Sequence, residues 1–207
     1  MTILALEFSS ARRSVALARD GVILARAAEQ TGGRGTDALG LIGKVLAEAG
    51  LSREAIEVVA VGLGPGSYTG IRAAIAVAQG WQLARGVKLL GVSSVESLAA
   101  EAQAQEIFGR VHLAVDAQRG EFYVATWEIS WAQRREISPL KIVPAAELAA
   151  RKAAGETCAG PEMERALFPS AATVVALGEG KMFASDGQLE PIYLRETAFV
   201  KAICRSP

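Results

Sequence analysis

The sequence is poor in the residues that most enzyme and metal chemistry relies on. Its 207 residues include one histidine, His112, and two cysteines, Cys158 and Cys204, which lie far apart and form no C-x-x-C pattern. A zinc site needs about four nitrogen or sulfur ligands, so the chain is read as metal-independent and reduced. Neither sign of charge dominates, with 22 Lys+Arg against 22 Asp+Glu. This argues against a large basic face for nucleic acid. No apolar run approaches the roughly 18 residues of a membrane span. The opening MTILALEFSS has no basic n-region, and Glu7 interrupts its apolar run, so no signal peptide is read. The expectation is a cytoplasmic chain without membrane contact.

What is present is core-forming material: 51% of the residues are hydrophobic. The length fits one larger domain or two small ones. Three antiparallel strands open the chain, over 2–7, 14–18 and, after the Asp20-Gly21 turn signal, 22–28. A helix follows from about 37 to 49, with Thr36 as N-cap and Gly50 at its end. Residues 58–63 form a continuous apolar run, as in a strand covered on both faces. The next helix, about 70–85, carries two apolar stripes. One is Ile71, Ala74, Ile75 and Ala78; the other is Ala73, Val77, Trp81 and Ala84. Such a helix must be covered on two sides, one by the sheet and one by another helix or another protein. Residues 88–92 read as a strand, and Ser93-Ser94-Val95-Glu96 as a capping box that opens a helix. Strands over 111–115, 121–129 and 136–143, a helix from Pro144 to 153 and a short helix over 161–167 complete the reading.

The chain repeats itself. LALEFSSARRSVALA (4–18) matches LAVDAQRGEFYVATW (113–127) as strand, acid, short turn, strand. One offset of 109 residues superposes Glu7 on Asp116, Leu4-Ala5 on Leu113-Ala114 and Val15-Ala16 on Val124-Ala125. This reads as two copies of one α/β unit, the second reduced: an N-terminal lobe over 1–105 and a smaller C-terminal lobe over 106–207.

The loop Gly64-Pro65-Gly66-Ser67-Tyr68-Thr69-Gly70 joins the apolar strand to the two-striped helix. No lysine follows its glycines, so it is no Walker A loop, and Ser67 stands where a Rossmann fingerprint needs its third glycine. Two readings stay open. Gly64, Gly66 and Gly70, with Ser67 or Thr69 as cap, form an anion cradle, or they form a tight strand-to-helix turn. Glu7 and Asp116 end equivalent strands, where carboxylates hold Mg²⁺ or activate water, or they sit on solvated turns. His112 is a packed or edge residue in mid-strand. Ser9 and Ser10 have no nearby His or Lys to activate them. Arg12-Arg13 and Arg134-Arg135 read as solvated pairs. No catalytic or metal set emerges, and the pattern favours partner binding over enzymatic chemistry.

The segment AVGLGPGSYTGIRAAIAVAQG resembles the signature of the TsaB (YeaZ) family, close to AVGxGPGSFTGLRIGxxxAKG. ILALEFSS, GVSSVESLA, DAQRGEFYVA and PIYLRE are similar to that family's ILALDTS, GVSSLEALA, DARxGEVYxA and P-x-YLR, in the same order. The resemblance implies an α/β chain with the duplicated fold of actin, hexokinase and Hsp70 ATPase domains, ribonuclease H-like, in two lobes. It implies a non-catalytic relative of TsaD, the subunit that places threonylcarbamoyl on the tRNA adenosine next to the anticodon. Its implied partners are a TsaD-type catalytic subunit and a TsaE-type ATPase, with a homodimer when alone and tRNA met only indirectly. Any ATP or ADP is expected at the complex interface, not in this chain. The implied interface is the pair of N-terminal helices, through Leu39, Leu41, Ile42, Ile71, Arg72, Ile75, Ala78 and Gln82. TsaD's paired metal-binding histidines have no counterpart here. Glu7-Phe8 replaces the family's Asp-Thr, Thr36-Asp37 stands where the family has His-Ser, and 130–185 diverges. The rival readings are a small actin-like ATP-dependent phosphotransferase using Glu7, Asp116 and Mg²⁺, and a self-associating structural dimer.

Overall fold

In the computed structural model, residues 1–31, 37–184 and 188–194 are described. Thr36, Cys204 and the last two residues of PIYLRE lie outside them. The first sheet is built from β1 (Thr2–Glu7), β2 (Arg12–Arg19), β3 (Val22–Gln30), β4 (Val58–Gly62) and β5 (Lys88–Val92), in the order β3-β2-β1-β4-β5. β1 to β3 pair antiparallel; β4 joins β1 in parallel, and β5 joins β4 in parallel. The second sheet holds β6 (Gly109–Gln118), β7 (Glu121–Ile129), β8 (Arg134–Pro144), β9 (Thr157–Gly160) and β10 (Arg165–Ala166). Its order, β8-β7-β6-β9-β10, repeats that of the first sheet with the same strand senses. The repeat read from two short segments is thus a repeat of whole sheets.

The helices show where the second copy is reduced. α1 (Ala38–Ala49) and α4 (Ala145–Ala153) each follow a third strand; α3 (Ser94–Ala104) and α5 (Ala171–Gly178) each follow a fifth. α2 (Tyr68–Arg85), after β4, has no counterpart after β9. The short helix expected over 161–167 is absent: the Gly160 carbonyl accepts from both Met163 N–H (3.2 Å) and Leu167 N–H (3.0 Å). That pairing folds the run into a turn, and β10 takes residues 165–166.

All six residues of β1 are buried, because both faces of its sheet are covered. Leu4 and Leu6 pack with α1 and α2, through Ile42, Val45, Ile71 and Ala74. Ile3 and Ala5 face the other way, with Ala16, Ala18 and Ala60, and pack against Val174 and Val175 of α5. α3 meanwhile packs on the second sheet, through Val95, Leu98 and Ala102. The division at about residue 105 therefore separates the two sheets but not their cores, since each part lends a helix to the other.

The helix ends follow local chemistry. α1 is capped by Asp37, whose carboxylate accepts from Gly40 N–H at 2.9 Å, and Gly50 and Gly86 close α1 and α2 in the left-handed region. Ser170 and Thr173 form a capping box at α5. The box expected at Ser93–Glu96 does not form: the Ser93 side chain makes no cap hydrogen bond, and Glu96 pairs with Lys181 at 2.5 Å. Beyond α5 the chain returns to the first sheet: Ala184 N–H bonds Leu89 O at 2.8 Å, and Ile192 N–H bonds Leu63 O at 2.9 Å. Among the described residues no helix is long and apolar enough to cross a membrane.

Candidate functional site: an interlobe cleft and a free helix face

The glycine loop is held from all sides by its own chain. Gly64 N–H donates to Ser94 Oγ (3.0 Å), and the Ser94 hydroxyl donates to Glu7 Oε2 (2.9 Å). Ser67 N–H donates to Ser9 O (2.7 Å), and Gly70 N–H to Ser67 Oγ (3.3 Å). Three of the loop N–H groups that could cradle an anion thus already have partners. The glycines answer a packing demand. A Cβ on Gly66 would lie 2.1 Å from Ser9 O, and one on Gly70 would lie 2.0 Å from Phe8 O. The β1–β2 turn presses directly on the start of α2. The loop is therefore a strand-to-helix joint that spends the Gly64, Ser67 and Gly70 N–H groups on its own chain, while Gly66, Ser67 and Thr69 line the cleft between the lobes. Arg13, expected on a solvated face, is buried here and donates to Ser67 Oγ at 3.4 Å.

Glu7 is buried against Gly62, on which a Cβ would lie 1.9 Å from Oε2. Burial pushes its carboxyl above the usual value, partly offset by donors from Ser9 and Ser94. It is a structural acid, and a role in holding Mg²⁺ does not fit. Asp116, its repeat partner, does line a cleft between the lobes, but its carboxylate is bonded to Gln118, through the backbone N–H and the side-chain amide, both at 2.7 Å. The cleft, of about 670 Å³, is walled by Ser9, Thr69, Asp116, Arg119, Glu162 and Tyr193, among others. Among the described residues no three His, Cys, Asp or Glu side chains gather as a metal site.

α2 divides its two stripes unequally. Ile71 and Ala78 are 0% exposed and Ile75 is buried, all in the core with Leu41 and Ile42 of α1. These five, expected at the partner face, are buried in the monomer's interior, because bulky Ile71 and Ile75 are the side chains that reach the sheet; of the five, Ile42 also lines the floor of the groove between α1 and α2. Of the expected face, Leu39 is 65% exposed, Arg72 is exposed and Gln82 is half-buried. Arg72 lies 5.3 Å over the Tyr68 ring, and Tyr68 stacks on Tyr193 at 5.6 Å, so this arginine is engaged within its own chain. The outward stripe is the other one. Leu39, Ala76, Val77, Gly80, Trp81 and Ala84 line an apolar groove of about 350 Å³ between α1 and α2. Arg53, Glu54 and Arg85 rim it, with Arg85 4.0 Å from Glu54. Sequence reasoning noted this stripe but did not choose it; small Ala76 and Gly80 beside Trp81 were the available signal.

Repeated mixed sheets, exchanged helices and an interlobe cleft define a duplicated actin-like α/β protein. Residues 36–184 match the family model described as TsaD: tRNA N6-adenosine threonylcarbamoyltransferase. Similar curated proteins are named tRNA threonylcarbamoyladenosine biosynthesis protein TsaB. That of Escherichia coli K12 is 34% identical over 62% of this chain and 55% of its own length. That of Bacillus subtilis is 26% identical over 67% and 60%. The chain thus spans little more than half of these relatives' length. A solved structure called YeaZ from Pseudomonas aeruginosa is 29% identical with a TM-score of 0.77, covering 93% of this chain and 99% of that one. The chain belongs to the TsaB (YeaZ) family.

Proposed function

We propose that this chain is a non-catalytic, cytoplasmic partner subunit in the formation of threonylcarbamoyladenosine in tRNA, docking a TsaD-type catalytic subunit through the outer faces of α1 and α2. The observation that carries this reading is the groove at Leu39, Val77 and Trp81, an apolar face that no described residue covers. Small Ala76 and Gly80 let a partner helix approach closely, and Trp81 is a suitable anchor. A TsaE-type ATPase joins the complex, tRNA is met through the catalytic subunit, and nucleotide binds at the shared interface. Alone, the chain covers the same face with a second copy. The occupied loop N–H groups and the buried Glu7 support this over the phosphotransferase reading.

The test is sedimentation velocity of the chain alone and mixed with TsaD from the same organism. The expected result is a new species at heterodimer mass, lost on Trp81→Glu while circular dichroism shows the variant still folded at the assay temperature. No heterodimer from the unaltered chain, even with TsaE and ATP added, refutes the reading.

A further inference from the structure

The second sheet contains a buried polar cluster for which partner docking has no use. His112 on β6 is 3% exposed, between Thr126 on β7 and Cys158 on β9. Its Nδ1 is 2.9 Å from Thr126 Oγ1 and 3.0 Å from an Arg151 Nη on α4. Its Nε2 is 2.6 Å from a carboxylate oxygen of Glu156, in the turn before β9. Arg151 also donates to Glu147 of α4 at 2.7 Å, and Lys141 of β8 lies 3.7 Å from that same oxygen. Arg110, on the histidine's own strand, and Lys152, at the end of α4, complete the nearby charges. A guanidinium can only donate. Nδ1 must therefore accept from Arg151, and the ring proton sits on Nε2, beside the Glu156 carboxylate but not aligned on it as a hydrogen bond.

We propose that His112 and Arg151 form a proton-operated latch that holds α4 on the second sheet and opens when the imidazole is protonated. An N–H on Nδ1 would point at the Arg151 N–H and could be accepted only by the Thr126 hydroxyl. The Arg151 Nη that faces the ring would lose its acceptor and meet a cation, leaving Arg151 only its bond to Glu147 within α4, while Glu156 would hold the imidazolium. Beyond the latch α4 is fixed by Leu148, its one buried side chain, by the exposed Lys141–Glu147 pair and by the Ala145 N–H bond to Gly120 O at its first turn. Beside the end of α4 lies a cavity of about 530 Å³ lined by Lys152, Glu156, Cys158 and Arg165. Opening the latch widens that cavity onto the Cys158 thiol. Burial first, then the Arg151 charge, holds His112 below the ordinary imidazole value, with Glu156 opposing. The latch is closed at neutral pH.

His112 is the only histidine, so its ring nitrogens are read by long-range ¹H–¹⁵N spectra without assignment. The expected spectrum at neutral pH has a protonated Nε2 and a bare Nδ1, with a midpoint below about 6.5. Arg151→Met should raise that midpoint. In a Cys204→Ser chain, the rate at which Cys158 reacts with a dithiodipyridine, divided by that of a free thiol at the same pH, should be about tenfold higher one pH unit below the midpoint than one unit above it. With Arg151→Met it should react fast at both. A protonated Nδ1 at neutral pH in the unaltered chain overturns the latch, whether or not the variant folds. So does a midpoint that Arg151→Met leaves in place, or thiol reactivity with no step.

Discussion

Replacing Gly70 by alanine tests whether the glycine loop is a packing joint. Gly70 is the third residue of α2, and its backbone is ordinary helix. Helix propensity alone favours alanine there by about 0.8–1.0 kcal/mol. The structure predicts the opposite sign. The new Cβ would lie 2.0 Å from Phe8 O and 3.1 Å from both Phe8 C and Ser67 Oγ. Phe8 is fully buried, and its carbonyl is backbone, so no rotamer change relieves the contact; the turn or the helix must move by more than an ångström. Overpacking of this kind costs about 1–3 kcal/mol, and a backbone contact belongs at the upper end. Set against the propensity gain, the net loss is about 2 kcal/mol. For a chain of this size that lowers the melting temperature by about 4–8 °C. Gly80→Ala is the matched control. It lies in the same helix, and its Cβ would meet nothing within 4 Å. It should gain about 1 kcal/mol and melt about 2–4 °C higher. Scanning calorimetry of the three proteins decides the matter. Gly70→Ala melting at or above the unaltered chain refutes the joint. A cradle would instead make inorganic phosphate raise the melting temperature of the unaltered chain but not of the variant.

Adjacent positions on α2 should behave in opposite ways. Ala78→Glu places a carboxylate in the core and should unfold the chain by circular dichroism, whereas Val77→Glu should keep the fold and lose the partner. Glu7 gives a pH dependence. Its folded value is raised, so its contribution is complete below about 4.5 and is lost as pH rises towards the folded value. Urea titrations across that range should show a flatter pH slope for Glu7→Gln than for the unaltered chain; parallel slopes would clear Glu7 of the effect. A fragment of residues 1–105 should not fold, because it lacks α5 and exposes the face of Ile3, Ala16, Val58 and Leu90. At about 1.5–3 kcal/mol per large side chain, that exposure rivals the whole stability of a small domain. A dispersed ¹H–¹⁵N spectrum from the fragment would contradict this.

What the sequence disclosed was what local patterns encode. The β1–β2 hairpin and its repeat at β6–β7 show themselves through short apolar runs, tight turns and matched acids, and the buried β4 through an unbroken apolar run. The repeat led to the right sheets, because pairing order follows the copies. Contacts that join distant segments stayed hidden. Ser94 looked like part of a capping box, but its hydroxyl serves Glu7, 87 residues away. α5 left no sign of its destination, because the face it covers belongs to strands near the other end of the chain. The two stripes of α2 are nearly equal in apolar character. Only the choice between bulky Ile71 and Ile75 and the small-plus-aromatic Ala76, Gly80 and Trp81 separates the sheet side from the outer side.

The asymmetry of the duplication explains why an apolar face remains uncovered. Because α3 and α5 are exchanged, each sheet depends on the other half for a cover, so neither can be dropped cheaply. A helix in the position of α2 lies outermost, and the second copy does without one, replacing it by the turn at 161–164. α2 therefore has no internal counterpart, and no described residue covers its outer stripe, which the proposed function assigns to another chain. The groove alone is not enough for that. Completing the burial of Leu39, Val77 and Trp81 is worth less than three full side chains, which would give about 5–9 kcal/mol at about 1.5–3 kcal/mol each, because Val77 and Trp81 are already half-buried. Association costs about 4–15 kcal/mol in lost freedom. A ligand filling only the groove should therefore bind no more tightly than about millimolar. A stable partner must extend beyond it to about 800 Å² on this chain, over the exposed Leu83 and the Arg53–Arg85 rim, with Trp81 as the anchor of a larger surface.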